Sequence, residues 1–255
     1  MYYYIMEQPK NRAMQSKQEY IRGIISNLGI IGEVVTVSPA RTTEELVDMG
    51  VTKSYSTIVA VGSDRHINRI ASLLKHKKPA LGIIPLNCSE LVSGLIGTND
   101  IKEACNILKS RRLKEASLGL VEPNKYFITQ AEIHSPKSEF ASFTIINPGS
   151  DSYIAECSFT EIIISKNLYT FITDRLYNQN LIKNTWNWLV GKKNSDIVSS
   201  ILRGKKIKIE TENPVPVMLD NEIVAKTPIV VSYVPKALKI ITKPARIVEE
   251  EKKEK

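Results

Sequence analysis

No stretch of this 255-residue chain approaches the roughly 20 consecutive apolar residues that a bilayer-spanning helix needs, so no membrane-spanning helix is expected. Cysteine is scarce. Cys88, Cys105 and Cys157 are widely spaced and form no CxxC pair, which excludes a disulfide framework and a cysteine-built zinc site. They are expected to be reduced thiols in a cytoplasmic protein. The three histidines, His66, His76 and His134, are equally scattered and suggest no metal centre. The N-terminus, Met1-Tyr-Tyr-Tyr-Ile-Met-Glu7, has no basic region followed by an apolar core, so no signal peptide is expected there. Aromatic residues make up 7% and form no basic, aromatic-rich stripe, and no helix-turn-helix pattern is present. Nucleic acid is therefore not the expected partner.

What is present is an ordinary globular balance, 42% hydrophobic and 24% charged residues, with length enough for one large or two modest domains. The formal net charge is +8. Basic residues gather at Lys75 to Lys78, Lys109 to Lys114, Gly191 to Lys193 and Arg203 to Lys208. Such clusters suit nucleotide phosphates, anionic lipid or, as a weaker alternative, nucleic acid, or simply a solvated basic face.

The most informative stretch is Thr57 to His66. An apolar, β-branched run ends at Gly62, polar residues follow, and Ile67, Ile70, Ala71 and Leu74 then recur at helical spacing. A buried strand, a tight turn and an amphipathic helix are predicted. The free N–H groups and the positive dipole end of that helix would face the turn, where an anion can bind. The same rhythm fills the first part of the chain. Strands are predicted at Tyr2 to Met6, Gly32 to Val37 and Ala80 to Pro85, and helices up to Leu28, after Thr42 and after Asp100. Thr42 and Glu45 have capping-box spacing, and Gly50 reads as the stop of their helix. Alternating strands and helices predict an α/β layer with a largely parallel sheet.

After about residue 114 the pattern becomes strand after strand: Leu118 to Val121, Tyr126 to Ile133, Phe140 to Ile146, Tyr153 to Phe159 and Glu161 to Ser165. Further strands follow at Lys205 to Thr211, Pro216 to Leu219, Ile229 to Val234 and Leu238 to Thr242. Asp220-Asn221 suits a tight hairpin turn. The expected architecture is an N-terminal Rossmann-like α/β domain, residues 1–114, followed by an antiparallel β-sandwich domain, residues 115–243. A charged tail, residues 244–255, is expected to be disordered. Between Asn167 and Ser200 only a short helix near Trp186 to Val190 is suggested.

Taken in order, these segments resemble the diacylglycerol kinase catalytic-domain family of lipid kinases, which includes sphingosine kinase relatives and is related in fold to NAD kinases. The family's GGDGT motif and following asparagine have their counterpart in Val61-Gly62-Ser63-Asp64-Arg65-His66-Ile67-Asn68. Its PLGTxND motif corresponds to Pro85-Leu86-Asn87-Cys88-Ser89-Glu90-Leu91, its DLG segment to Ser117-Leu118-Gly119, and its LDGE hairpin to Leu219-Asp220-Asn221-Glu222. The resemblance implies an α/β domain that holds ATP with Mg²⁺ and a β domain that receives a lipid, with phosphoryl transfer to the lipid hydroxyl. It implies Asp64 and Glu222 as catalytic carboxylates, Glu222 as the candidate base. It implies nucleotide contacts from Gln8, Lys10, Arg12, Gly62, Ser63, Asp64, Arg65, His66, Asn68, Asn87 and Cys88. The expected partners are nucleotide and a lipid substrate or anionic membrane surface, with a homodimer left open and the inner membrane face as a place of peripheral attachment.

Four departures fall at the chemical positions. Ser63, Arg65 and His66 replace Gly, Gly and Thr of the loop, where a left-handed backbone would strain a side chain by about 1–2 kcal/mol. Asn87, Cys88 and Glu90 replace Gly, Thr and Asn. Ser117 stands where the family has aspartate, and Asn221 where the hairpin has glycine. Two readings result: a lipid kinase impaired by a degenerate phosphate loop, or a non-catalytic pseudokinase that binds nucleotide, anionic lipid or a partner protein. Arg65 as a substitute phosphate ligand, and His66 as a base, are the further possibilities that these replacements raise.

Overall fold

The computed structural model of the chain describes residues 1–149, 151–174 and 198–243. The basic cluster at 191–193, the helix suggested near Trp186 to Val190 and the charged tail at 244–255 lie outside the described residues. Two compact units divide the chain. One is Met1–Ser63, Lys78–Lys114 and the chain from Lys239 onward; the other is Asp64–Lys77 and Glu115–Leu238.

The first unit is a parallel sheet with helices. β3 (Thr57–Gly62) and β4 (Ala80–Pro85) are buried at every residue, which is why their sequences are continuous apolar runs rather than alternations. β3 lies between β1 (Tyr2–Met6) and β4, and β2 (Gly32–Thr36) flanks β1, all parallel. Among the described residues this unit has the helices α1 (Arg12–Leu28), α2 (Thr43–Thr52), α4 (Glu90–Ile96) and α5 (Ile101–Ser110). Their ends follow local chemistry. Asn11 caps α1 by accepting from the Met14 N–H at 2.9 Å, and Asp100 caps α5 by accepting from that of Glu103 at 2.7 Å. Thr42 and Glu45 form the expected capping box. The expected stop at Gly50 is corrected: α2 continues to Thr52. Gly50 is instead a packing glycine, since a Cβ there would lie 2.8 Å from the Tyr3 ring. Tyr4, Met6, Ile21, Val59, Ile84 and Leu108 are among the residues of this unit's core.

The second unit is β-rich and largely antiparallel, with α3 (Asp64–Leu73) included. Its strands are β5 (Leu113–Val121), β6 (Lys125–Phe127), β7 (Gln130–Ile146), β8 (Tyr153–Ser165), β9 (Tyr169–Thr173) and β10 (Val198–Arg203). They are followed by β11 (Lys206–Thr211), β12 (Pro216–Leu219), β13 (Glu222–Lys226) and β14 (Ile229–Ile241). β7 pairs with β8, β11 and β12, all antiparallel. α3 packs against β6. Phe127, Phe143, Phe159, Ile162, Ile207 and Val231 are fully buried in this unit's core.

Three expected breaks are absent. Tyr126 to Ile133 and Phe140 to Ile146 divide instead into the short β6 and the 17-residue β7. Pro136, which has no N–H to donate, falls where the β7–β8 register shifts between His134 and Glu139, so the proline marks a bulge and not a turn. Tyr153 to Ser165 is one strand, and so is Ile229 to Ile241, with Lys236 left-handed at φ 47° beside Pro235. The last residues of β14, from Lys239, belong to the first unit, where Ile240 pairs parallel with Leu81 of β4. Among the described residues no helix is long and apolar enough to cross a membrane.

Candidate active site

The turn after β3 is one residue long. β3 ends at Gly62 and α3 begins at Asp64, leaving Ser63 between them. The strain expected of a side chain at 63 or 65 is corrected: neither Ser63 nor Arg65 has a positive φ, and Arg65, like His66, lies in the first turn of α3. The helical backbone accepts these side chains without cost, which explains how the loop glycines can be absent.

The donors of Ser63 are already engaged. Its N–H donates to one oxygen of the Glu7 carboxylate at 2.7 Å, and its Oγ–H to the other at 3.0 Å. Glu7 immediately follows β1. On the other side of the turn, the Cys88 thiol donates to the Gly62 carbonyl at 3.2 Å, and Asn87, left-handed at φ 57°, accepts from Lys17 Nζ at 2.8 Å. Gln8, Lys10 and Arg12 are exposed, with Lys10 Nζ 3.9 Å from Glu7. Seven of the residues expected at the nucleotide thus belong to the first unit: Gln8, Lys10, Arg12, Gly62, Ser63, Asn87 and Cys88.

The others gather in the second unit around the start of α3 and the β12–β13 hairpin. Arg65 forms an ion pair with Glu222, both side chains being about half exposed or more. Asn68 is buried and accepts the Ile128 N–H at 2.7 Å through its Oδ1, which leaves its amide to donate to Asp220. Asp220 and Asn221 form the hairpin turn, both left-handed at φ 48° and 65°, as an Asp-Asn turn allows. Burial pushes the Asp220 carboxyl from its ordinary 3.8 up to about 6. The Asn68 bond pulls it down, the Asp64 charge pushes it up, a 3.5 Å bond from Thr129 pulls it down, and the Glu132 charge adds a further upward push. His66 is buried in α3. Ser117, where the resemblance implies an aspartate, donates to the Asn167 side chain at 2.7 Å.

Sequence reading took Asp220 only as a turn former and passed over Glu7. The signal for Asp220 was its place beside Glu222 in the hairpin motif. For Glu7 there was none beyond its position at the end of β1.

The donors of Ser63 are not open to a phosphate as they stand. The amide and hydroxyl of the turn are held by Glu7. Among the described residues no group of three or more His, Cys, Asp or Glu side chains could hold a metal ion. The basic cluster at Arg203 to Lys208 is also engaged locally. Arg203 stacks on Tyr169 at 4.8 Å and Lys205 on Tyr233 at 4.3 Å, while Lys206 pairs with Glu122 and Lys208 with Glu210.

Residues 8–121 match the diacylglycerol kinase catalytic domain family. The match contains the β3–α3 turn and Ser117, and ends before Asp220 and Glu222. A diacylglycerol kinase from Bacillus anthracis str. Sterne has a similar crystal structure, with a TM-score of 0.73 at 14% identity, covering 95% of this chain and 97% of that one. A second structure from the same organism, described as a putative diacylglycerol kinase, gives the same figures. Yeast NADH kinase, solved in complex with NADH, is similar at a TM-score of 0.51 and 11% identity, covering 96% of this chain and 84% of that one. At these identities the structures show a shared fold. No curated protein matches the chain. The fold class and the family resemblance read from the sequence are therefore borne out.

Proposed function

We propose that this is a lipid-kinase-like protein of diacylglycerol kinase lineage in which phosphoryl transfer from ATP to a lipid hydroxyl is impaired. The observation that carries this reading is the ion pair of Glu222 with Arg65. Glu222 is the candidate base, and a carboxylate held by a guanidinium must leave it before it can take a proton from a hydroxyl. The neutral Ser117–Asn167 contact, where the family has a carboxylate, supports the same reading.

Turnover with radiolabelled ATP and diacylglycerol or sphingosine in mixed micelles tests it. Each missing transition-state contact costs about 10²–10³-fold in rate, so turnover is expected far below the enzyme median. Turnover near about 10 s⁻¹ would refute impairment. Arg65→Ala, which frees Glu222 at an exposed site, is expected to raise turnover without unfolding the protein.

A second reading is favoured by Glu7 on Ser63: a non-catalytic protein that binds anionic lipid or a partner protein, with the 1–114 part acting as scaffold. Vesicles containing phosphatidylserine, with and without nucleotide, separate the two readings.

A further inference from the structure

We infer that Glu7 is a built-in occupant of the β3–α3 turn: its carboxylate sits on the donors that a phosphoryl group would use, and so keeps nucleotide out. This rests on the reading of that turn as the phosphate side of a kinase-like site. Ser63 immediately precedes α3, so its N–H is among the helix-end donors that no helical carbonyl can satisfy. Such donors, at the positive end of the helix dipole, are where anions bind. Here the anion comes from the chain itself.

The placement is enforced by the sheet. β1 and β3 are parallel neighbours with Met6 opposite Val61, so the residue after β1 lies beside the residues that end β3. Glu7 donates its N–H to the Val61 carbonyl at 2.9 Å, and its own carbonyl accepts from Gln18 Nε2 at 2.6 Å. With the backbone held on both sides, its two carboxylate oxygens each take one Ser63 donor, at 2.7 and 3.0 Å. The side chain is only 16% exposed, and Lys10 Nζ lies 3.9 Å from it.

α2 shows the same chemistry done locally, where Glu45 accepts the N–H of its cap residue Thr42 at 2.9 Å. In α3 the corresponding position is His66, and the carboxylate arrives from 56 residues away. A phosphoryl group at this turn would have to displace Glu7 or lie against its negative charge.

Calorimetry on the full chain, titrated with ATP·Mg²⁺ and separately with inorganic phosphate, tests the inference on wild type, Glu7→Gln and Glu7→Ala. Glutamine keeps the shape and one acceptor for Ser63 but removes the charge, so the inference stays testable if the alanine variant fails to fold by circular dichroism. Both folded variants are expected to bind ATP·Mg²⁺ at least tenfold more tightly than wild type. An equal gain with inorganic phosphate would show that the turn takes phosphoryl groups in general, and a gain with ATP alone that the whole nucleotide is needed; either supports the inference. No gain with either titrant overturns it. Turnover is read separately. Tighter binding with turnover still low leaves the impaired-kinase reading standing, and low turnover with no gain in binding overturns the role of Glu7 alone.

Discussion

Asp220→Asn is expected to stabilise the protein at neutral pH and to do nothing at low pH. Asp220 ionises in a site that disfavours the charge: burial first, then the charges of Asp64 and Glu132, outweigh the hydrogen bonds from Asn68 and Thr129. Raising a carboxyl from 3.8 to about 6 means that the ionised form costs the folded state about 3 kcal/mol, at about 1.4 kcal/mol per pH unit. The sign follows from proton linkage. Between pH 3.8 and about 6 the folded state holds a proton that the unfolded state has released, so stability falls as pH rises through this window and is level above it. Asparagine is neutral throughout, keeps an acceptor for Asn68 and tolerates the left-handed φ of 48° at this position. Part of the gain is lost because hydrogen bonds to a neutral acceptor are weaker, which leaves about 1–3 kcal/mol at pH 7. Urea unfolding of both proteins at pH 7 and at pH 4 measures it. A variant that is not stabilised at pH 7, or whose advantage is the same at pH 4, would show that Asp220 is not held in a hostile site.

Two further substitutions probe the fold around the site. Gly119→Ala places a methyl group 2.1 Å from the buried Phe127 ring, its partner across β5 and β6. Overpacking of this kind costs about 1–3 kcal/mol, and a lower urea midpoint with unchanged slope is expected; an unchanged midpoint would mean that the ring moves freely. Thr42→Ala removes the side-chain half of the α2 capping box and is expected to cost about 1 kcal/mol, read as a melting temperature lower by about 2–4 °C.

Much of this was legible in the sequence because it depends on neighbours in the chain. The continuous apolar runs of β3 and β4 suit strands buried on both faces. Asn11, Thr42 and Asp100 cap their helices through bonds three residues long, and the Asp220-Asn221 turn follows from two residues that tolerate positive φ. The order of the four motifs from Gly62 to Glu222 was enough to point to a resemblance to the diacylglycerol kinase catalytic-domain family.

The chemistry of the site was decided elsewhere. Whether a side chain at 63 or 65 is strained depends on where α3 begins, and the backbone turned helical at Asp64. That Glu7 meets Ser63 depends on the pairing of β1 with β3, which brings residues 56 positions apart into hydrogen-bond reach. That Arg65 meets Glu222, and that Asp220 is hard to ionise, depends on the β12–β13 hairpin being packed in the same unit as α3. Periodicity and capping are properties of a few consecutive residues, whereas the field at a carboxylate sums over every group that the fold brings around it.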